Sequence, residues 1–177
     1  MWKKFKVFFR PKPKFKEETI ERKGKKFLVR QAKERDIKEM LAVERDVYFG
    51  DVPWTRSAFV FELRNPTKHL YLVMEHEAQV IGFVGCRVRL GDAHITNIAV
   101  LGAFQGLGLG WYMLEQVRLF ALRNEAKLLS LEVRFHNKRA QRLYRKFGFV
   151  SEKVMKNYYS EIKEDGVRMI YKLNAEK

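Results

Sequence analysis

The strongest constraint on this chain is a strand, a glycine-rich turn and a helix that follow one another between Ile98 and Asn124. An apolar stretch ends at Val100, the turn Gln105–Gly110 holds three glycines, and the apolar spacing of Trp111–Asn124 predicts a helix. Backbone N–H groups at a helix start lack partners and carry partial positive charge, and glycines let a phosphate approach them closely. The segment therefore predicts a phosphate-binding cradle for a cofactor.

The spacing of the glycines excludes two common phosphate-binding motifs. Neither Gly106 nor Gly108 is followed by a third glycine at the distance that the dinucleotide fingerprint G-x-G-x-x-G requires. A P-loop ends in Gly-Lys-Ser/Thr, whereas Gly110 is followed directly by Trp111 and Tyr112. The pattern that fits is Q/R-x-x-G-x-G/A, with Gln105, Gly108 and Gly110 at its fixed positions. An ordinary glycine-rich loop is the alternative.

Length and composition indicate one globular domain. The chain has 177 residues, of which 46% are hydrophobic, and no apolar run approaches the ~20 residues of a membrane span. We find no signal peptide, and the single cysteine, Cys86, excludes a disulfide framework and favours a reducing cytoplasm. The four histidines have no metal-ligand spacing, so we expect no metal site: His69, His76, His94 and His136.

Positive charge is concentrated at the N-terminus. Residues 1–26 hold 11 Lys/Arg against 3 Asp/Glu, within a net charge of +15 for the chain. We interpret them as a basic aromatic extension that precedes a domain at 27–177. Its aromatic residues Trp2, Phe5, Phe8 and Phe9 would share one side of a helix. Such a segment could contact ribosomal RNA or an anionic membrane, or be a poorly ordered solubilising tail.

Hydrophobic periodicity predicts antiparallel strands first and strand–helix units afterwards. This order is typical of an α/β protein with a mixed, mostly antiparallel sheet of about seven strands and about four helices. We expect strands at 27–31, 70–75, 80–90, 94–100 and 128–133 and around Val154 and Met169, and helices at 36–49, 55–64, 111–124 and 137–147.

Two residues that follow the cradle in the sequence, Glu132 and Tyr144, could perform acid–base chemistry. Glu132 lies in an apolar strand, where a carboxylate is unfavourable unless it is paired or functional; it could be a general base or could pair with Arg134. Tyr144, one helix later, could donate a proton or pack in the core. The helix that contains Tyr144 also has five basic residues: Lys138, Arg139, Arg142, Arg145 and Lys146. They could form a solvated face, or one or two of them could contact a cofactor phosphate.

Three blocks of sequence together resemble the GNAT N-acetyltransferases, and more narrowly the RimI-like ribosomal-protein alanine N-acetyltransferases. They are Ile95–Val100 with the glycine turn, Leu131–Arg134 followed by Asn137 and Leu143-Tyr144, and Asn157-Tyr158-Tyr159 ahead of Met169. Pro53-Trp54-Thr55 is similar to the family's Pro-Trp-Ser. The likeness covers about Phe27 to Leu173. It departs from the family at Leu101–Phe104, which replaces an Asp/Pro-rich lead-in, and at Trp111, where a smaller or basic residue is more common.

The resemblance implies a GNAT fold, acetyl-coenzyme A as cosubstrate and a role for each matching residue. Glu132 would be the general base and Tyr144 the general acid. Backbone groups of a splayed strand would pair with the pantetheine arm, and the glycine turn would hold the diphosphate; the implied cofactor contacts are Ile98, Ala99, Val100, Gln105, Gly106, Leu107, Gly108, Leu109, Gly110, Trp111 and Asn137. The implied substrate contacts are Pro53, Trp54, Tyr158 and Tyr159.

The activity implied is transfer of an acetyl group to the N-terminal amine, an alanine, of a ribosomal protein. An α-amino group titrates near 7.8 and a lysine near 10.4, so deprotonating the lysine costs about 3.5 kcal/mol more at pH 7. One carboxylate acting through water can therefore serve an N-terminus more easily. Two alternatives are a GNAT enzyme for a lysine side chain or small-molecule amine, and a non-catalytic ribosome- or RNA-associated module with the same fold.

Overall fold

A twisted sheet of eight strands forms the centre of the computed structural model, which describes residues 15–50 and 52–173. The strands are β1 (Glu18–Arg22), β2 (Lys25–Gln31), β3 (Lys68–His76), β4 (Gln79–Arg89), β5 (Asp92–Val100), β6 (Leu128–Arg134), β7 (Val150–Tyr159) and β8 (Glu164–Lys172). They lie in the order β1-β2-β3-β4-β5-β6-β8-β7, and every neighbouring pair is antiparallel except β5 with β6.

Four α-helices cover the sheet, two on each face. Apolar residues of α1 (Ile37–Val47) and α2 (Arg56–Arg64) pack against β3 and β4 on one face. Those of α3 (Leu109–Arg123) and α4 (Lys138–Phe147) pack on the other face, in the larger core. On the α1/α2 face, β6 and β8 carry polar side chains, among them Ser130, Glu132 and Arg168.

Local signals set several of these boundaries. The left-handed pairs Glu77-Ala78 and Leu90-Gly91, all with positive φ, form the tight turns of the β3–β4 and β4–β5 hairpins. Asn137 caps α4 by accepting the Ala140 N–H at 3.0 Å, and Gly148 ends it with φ +119°. These caps fix where α4 begins and ends beside the sheet.

The expected fold is confirmed, with differences at the N-terminus and in the strand count. The sheet has eight strands rather than about seven, because β1 precedes the strand expected at Phe27 and that strand itself begins at Lys25. Residues 18–22 and 25–26, interpreted from sequence as part of an extension, are therefore in the sheet. The aromatic residues Trp2, Phe5, Phe8 and Phe9 lie outside the described residues. Helix α3 starts two residues earlier than expected.

Candidate active site

The sheet opens between its two parallel strands. β5 and β6 pair over three residues, from Asp92 to His94, and diverge beyond them. From Ile95 onward β5 pairs with β4, so its other edge faces the gap. Leu101 N–H donates to the Ile81 carbonyl at 2.9 Å, and the alternation of an antiparallel ladder therefore turns Val100 N–H away from β4. The gap thus presents backbone groups that an extended ligand could pair with.

The residues 105–111, which we call the cradle, lead from the open end of β5 into α3. Gly106 and Gly108 have φ of +80° and +78°, a conformation that favours glycine. Within the described part of the chain, no backbone N–H from 106 to 111 donates a hydrogen bond. A Cβ on Gly110 would lie 3.0 Å from Leu143 Cδ2, so this glycine allows α3 and α4 to approach. The cradle therefore offers consecutive free donors at a helix start.

Gln105 and Asn137 use one polar atom each to support the structure. Gln105 Nε2 donates to the Val100 carbonyl at 2.8 Å, which braces the end of β5 against the cradle. The Asn137 side-chain oxygen is occupied as the cap of α4. Of the Asn137 side chain, the amide nitrogen is the polar group left to contact a ligand.

Glu132 lies on the α1/α2 face of β6, where the gap has opened, and Arg168 and His94 flank its carboxylate. Oε1 accepts from Arg168 Nη1 at 2.9 Å, because β6 and β8 place Glu132 directly opposite Arg168. Oε2 lies 3.3 Å from His94 Nε2, and the Glu132 side chain is 12% exposed. The ion pair seen for Glu132 is thus with Arg168 of β8, not with the Arg134 that the sequence suggested.

A hydrogen-bonded network continues from Glu132 across β5. His94 Nδ1 lies 2.9 Å from Ser130 Oγ, which donates to Asp92 Oδ1 at 2.8 Å, and Arg168 Nη2 reaches Asp92 at 3.3 Å. Burial lowers the pKa of His94, while the charges of Glu132 and Asp92 oppose that effect. The imidazole is therefore mostly neutral at pH 7. No motif of the sequence singled out His94 or Arg168, which the strand register brings beside Glu132.

Tyr144 belongs to a group of three tyrosines at the gap. Burial raises the pKa of Tyr144, and Tyr48 and Tyr159 raise it further, so the phenol stays protonated at neutral pH. The Arg134 guanidinium lies 4.7 Å from the Tyr48 ring centre and 5.8 Å from that of Tyr159. Burial raises the pKa of Tyr159 most, with smaller effects from Tyr48 and from Glu132. Tyr159 therefore lies within electrostatic reach of both predicted acid–base residues.

A buried carboxyl group, Glu44 of α1, lies beside the segment that leads into α2. Trp54 N–H donates to Glu44 Oε2 at 3.2 Å, and the Trp54 ring packs 5.2 Å from the Phe59 ring. Glu44 is 2% exposed, and this burial raises its pKa to about 7. Asn97 lies close enough to oppose that rise, yet its buried Nδ2 has no partner of normal geometry among the described residues. Glu44 is therefore a buried carboxyl group with the Trp54 N–H and the Asn97 side chain beside it.

Of the expected substrate contacts, Tyr158 and Tyr159 lie near Glu132 at the gap, whereas Pro53 and Trp54 belong to the segment before α2. Pro53 is exposed, and Tyr158 is 48% exposed with its ring centre 5.0 Å from that of Tyr159 and nearly perpendicular to it. Tyr158 lies over Gly166, where a Cβ would come within 3.0 Å of it. An exposed aromatic rim beside a buried polar interior suits a peptide whose end enters the gap.

The described part of the chain contains neither a metal-binding cluster nor a membrane-spanning helix. No group of three or more His, Cys, Asp or Glu residues in 15–50 and 52–173 is arranged to hold a metal ion. Within the same ranges, no helix is long and apolar enough to cross a membrane. Cys86 is buried in β4 as a free thiol.

Comparison with known proteins places this chain in a family. The model of the acetyltransferase (GNAT) family matches residues 35–149. A provisionally named [ribosomal protein bS18]-alanine N-acetyltransferase of Bacillus subtilis is 36% identical over 150 residues, which cover 84% of this chain and 97% of that protein. The [ribosomal protein bS18]-alanine N-acetyltransferase of Haemophilus influenzae is 32% identical over 75% of this chain and 87% of its own length.

Solved structures show the same fold. The ribosomal-protein-S18-alanine N-acetyltransferase from Escherichia coli superposes with a TM-score of 0.73 at 24% identity, over 85% of this chain and 97% of that one. A provisionally named streptothricin acetyltransferase from Bacillus anthracis, solved with acetyl coenzyme A, gives a TM-score of 0.57 at 22% identity over 62% and 65% of the two chains. These similarities show that the fold is shared.

This chain belongs to the GNAT family of acetyltransferases. Enzymes of that family transfer an acetyl group from acetyl-coenzyme A.

Proposed function

We propose that this protein transfers the acetyl group of acetyl-coenzyme A to the N-terminal alanine of a ribosomal protein. The observation that carries the proposal is the gap between β5 and β6, which has the Val100 N–H on one wall and Glu132 on the other. Support for the acceptor comes from the relatives named for alanine acetylation of bS18. Such an acceptor is made in the cytoplasm, which is where we place the reaction.

The cofactor would lie along the gap and the cradle. The free edge of Ile98–Val100 is suited to pair with the amides of the pantetheine arm, and the donors of the cradle with the diphosphate. The Asn137 amide would contact the arm near the start of α4. The thioester would lie at the end of β5. There the Val100 N–H would stabilise the negative charge that develops on the thioester oxygen.

Glu132 would accept the proton of the attacking amine through a water molecule. Arg168 binds Oε1 of the Glu132 carboxylate and so orients the group, and His94 Nε2 lies 3.3 Å from Oε2. Tyr144, kept protonated by burial and by its tyrosine neighbours, would protonate the coenzyme A thiolate as it leaves. The nucleophile belongs to the substrate, so no covalent enzyme intermediate is expected.

The role of Glu132 is tested by Glu132→Gln. Removing a proton acceptor should lower kcat about 100-fold or more, while acetyl-coenzyme A affinity stays within about twofold. Steady-state kinetics and calorimetric titration measure the two quantities. Glu152→Gln is the matched control, because Glu152 also binds Arg168, at 2.8 Å, and should leave kcat nearly unchanged. An unchanged kcat in Glu132→Gln would assign Glu132 to a purely structural ion pair.

The acceptor is tested with two peptides of one sequence that contains an internal lysine. One has a free N-terminal alanine and the other a blocked N-terminus. We expect rapid acetylation of the first at its α-amine and much slower reaction of the second, with mass spectrometry locating the acetyl group. Acetylation mainly on lysine would favour the alternative of a lysine acetyltransferase. Absence of turnover on either peptide and on ribosomal proteins would favour a non-catalytic module.

A further inference from the structure

Coenzyme A carries a 3′-phosphate on its ribose in addition to the diphosphate, and the cradle provides no cationic side chain for either. From Ile95 to Val117 the sequence has no Lys, Arg or His. The first cation after the cradle is Arg118, more than two turns into α3, where it is paired with Glu115 at 2.7 Å. Backbone donors can accommodate the diphosphate, but the additional phosphate dianion needs a counter-charge from elsewhere.

Helix α4 lies directly beside the cradle. Leu143 Cδ2 would lie 3.0 Å from a Cβ on Gly110, and the ring centres of Trp111 and Phe147 are 4.9 Å apart. With 3.6 residues per turn, the face of α4 that carries Leu143 also carries Arg139, one turn earlier, and Arg142 and Lys146 beside it. All three are exposed, and the helix that carries them meets the start of α3 through Leu143 and Phe147.

These three side chains, which we call the α4 strip, are not neutralised within the protein. Helix α4 contains no Asp or Glu, and no ion pair joins Arg139, Arg142 or Lys146 to a described residue. The two other basic residues of α4 are engaged elsewhere. Lys138 Nζ lies 3.9 Å above the Phe135 ring, and Arg145 donates to Gln141 Oε1 at 3.1 Å. Positive charge is therefore available on the cradle side of the helix.

We propose that the α4 strip binds the 3′-phosphate of coenzyme A and so supplies the charge that the cradle lacks. The inference rests on the proposed function, because it takes acetyl-coenzyme A as the cosubstrate. It specifies which form of the cofactor the enzyme selects: coenzyme A should be preferred over dephospho-coenzyme A, which lacks that phosphate. Charge-assisted hydrogen bonds to phosphate are strong enough for a preference of about tenfold or more.

The test compares the dissociation constants of coenzyme A and dephospho-coenzyme A by calorimetry. The full-length protein should prefer coenzyme A by about tenfold or more. The variant Arg139→Ala/Arg142→Ala/Lys146→Ala should lose that preference and keep the affinity for dephospho-coenzyme A, since the cradle is untouched. Thermal melting checks that these exposed substitutions leave the fold intact.

A charge-matched pair of variants separates a local contact from a general loss of charge. Arg139→Ala/Lys146→Ala and Lys138→Ala/Arg145→Ala each remove one Arg and one Lys from α4, and only the first pair should reduce the preference. A preference unchanged in the triple variant, or absent in the full-length protein, would overturn the proposal. Loss of oligoribonucleotide binding with an unchanged preference would assign the α4 strip to RNA instead. If neither coenzyme A form binds, the proposed function itself fails.

Discussion

Glu44 is a carboxyl group buried between α1 and the sheet, where its ionised form is poorly solvated. Burial raises its pKa to about 7, although the Trp54 N–H and Asn97 partly stabilise the charge. In the unfolded chain the same group titrates near its ordinary value of 4.5. Between these two values the folded protein binds more protons than the unfolded one, so the free energy of unfolding falls as pH rises.

Replacing Glu44 by Gln should remove that pH dependence. At pH 5 the variant and the parent protein should be similar in stability. At pH 8 the free energy of unfolding of the variant should exceed that of the parent protein by up to about 3 kcal/mol, because the variant has no buried group to ionise. Urea unfolding at the two pH values measures the difference. Glu39→Gln on the same helix is the control, since its side chain is exposed. A pH-independent difference between Glu44→Gln and the parent would refute the expectation.

Single residues of the site were predictable where their local sequence is unusual. Glu132 was noticeable as a charge within an apolar strand, and Tyr144 by its position in the following helix. The partners of Glu132 were not predictable in the same way. Arg168 and His94 are 36 and 38 residues distant and become neighbours only through strand register. Glu44 was not singled out, because charged residues are common in amphipathic helices and only the packed fold shows that this one is buried.

At the scale of elements, the cradle depends on backbone conformation more than on side chains. Gly108 has φ +78°, and a Cβ at this residue would have no atom within 4 Å, so a side chain there would meet open space in the ligand-free protein. The same space is where a diphosphate would approach the free N–H groups. A bulky residue at this position would therefore block the ligand as well as strain the backbone.

The substitution Gly108→Val should abolish most of the stabilisation by acetyl-coenzyme A. For the parent protein, ligand at ~100 times its dissociation constant adds about 2.7 kcal/mol, visible as a rise in Tm. Gly24→Val is the control, because Gly24 has φ +74° and open space but lies in the β1–β2 turn. Both variants should lose stability without ligand, and only the Gly24 variant should keep the rise. An equal rise in both would show that the cradle does not bind the cofactor.

Most elements were predictable because each has a strong periodic pattern or a cap. β1 was not, because Glu18–Arg22 is a short edge strand with four of its five residues exposed, and its charged residues resemble the basic sequence before it. The opening between β5 and β6 was implied only by the family resemblance. Periodicity describes one strand at a time, whereas the divergence of two strands depends on the packing of the whole sheet.

At the scale of the whole molecule, the N-terminal residues divide into a basic segment, 1–14, and a strand, 18–22, that belongs to the sheet. Residues 1–14 contain six Lys/Arg and no Asp/Glu, and they lie outside the described residues. Contact of this region with RNA or membrane stays a prediction from the sequence. Residues 18–22, in contrast, pair with β2, and Tyr112 of α3 donates a hydrogen bond to Glu18. Ile20 packs against the larger core.

Two truncations should therefore differ in stability. Deleting residues 1–14 should leave Tm and peptide acetylation nearly unchanged, because the sheet and the site are retained. Deleting residues 1–24 should cost about 2 kcal/mol, or roughly 4–8 °C in Tm for a chain of this size, through loss of β1 and the Tyr112–Glu18 bond. It would also expose the edge of β2, so size-exclusion chromatography should show self-association. If both truncated proteins melt together with the full-length chain, β1 contributes nothing to the stability of the sheet.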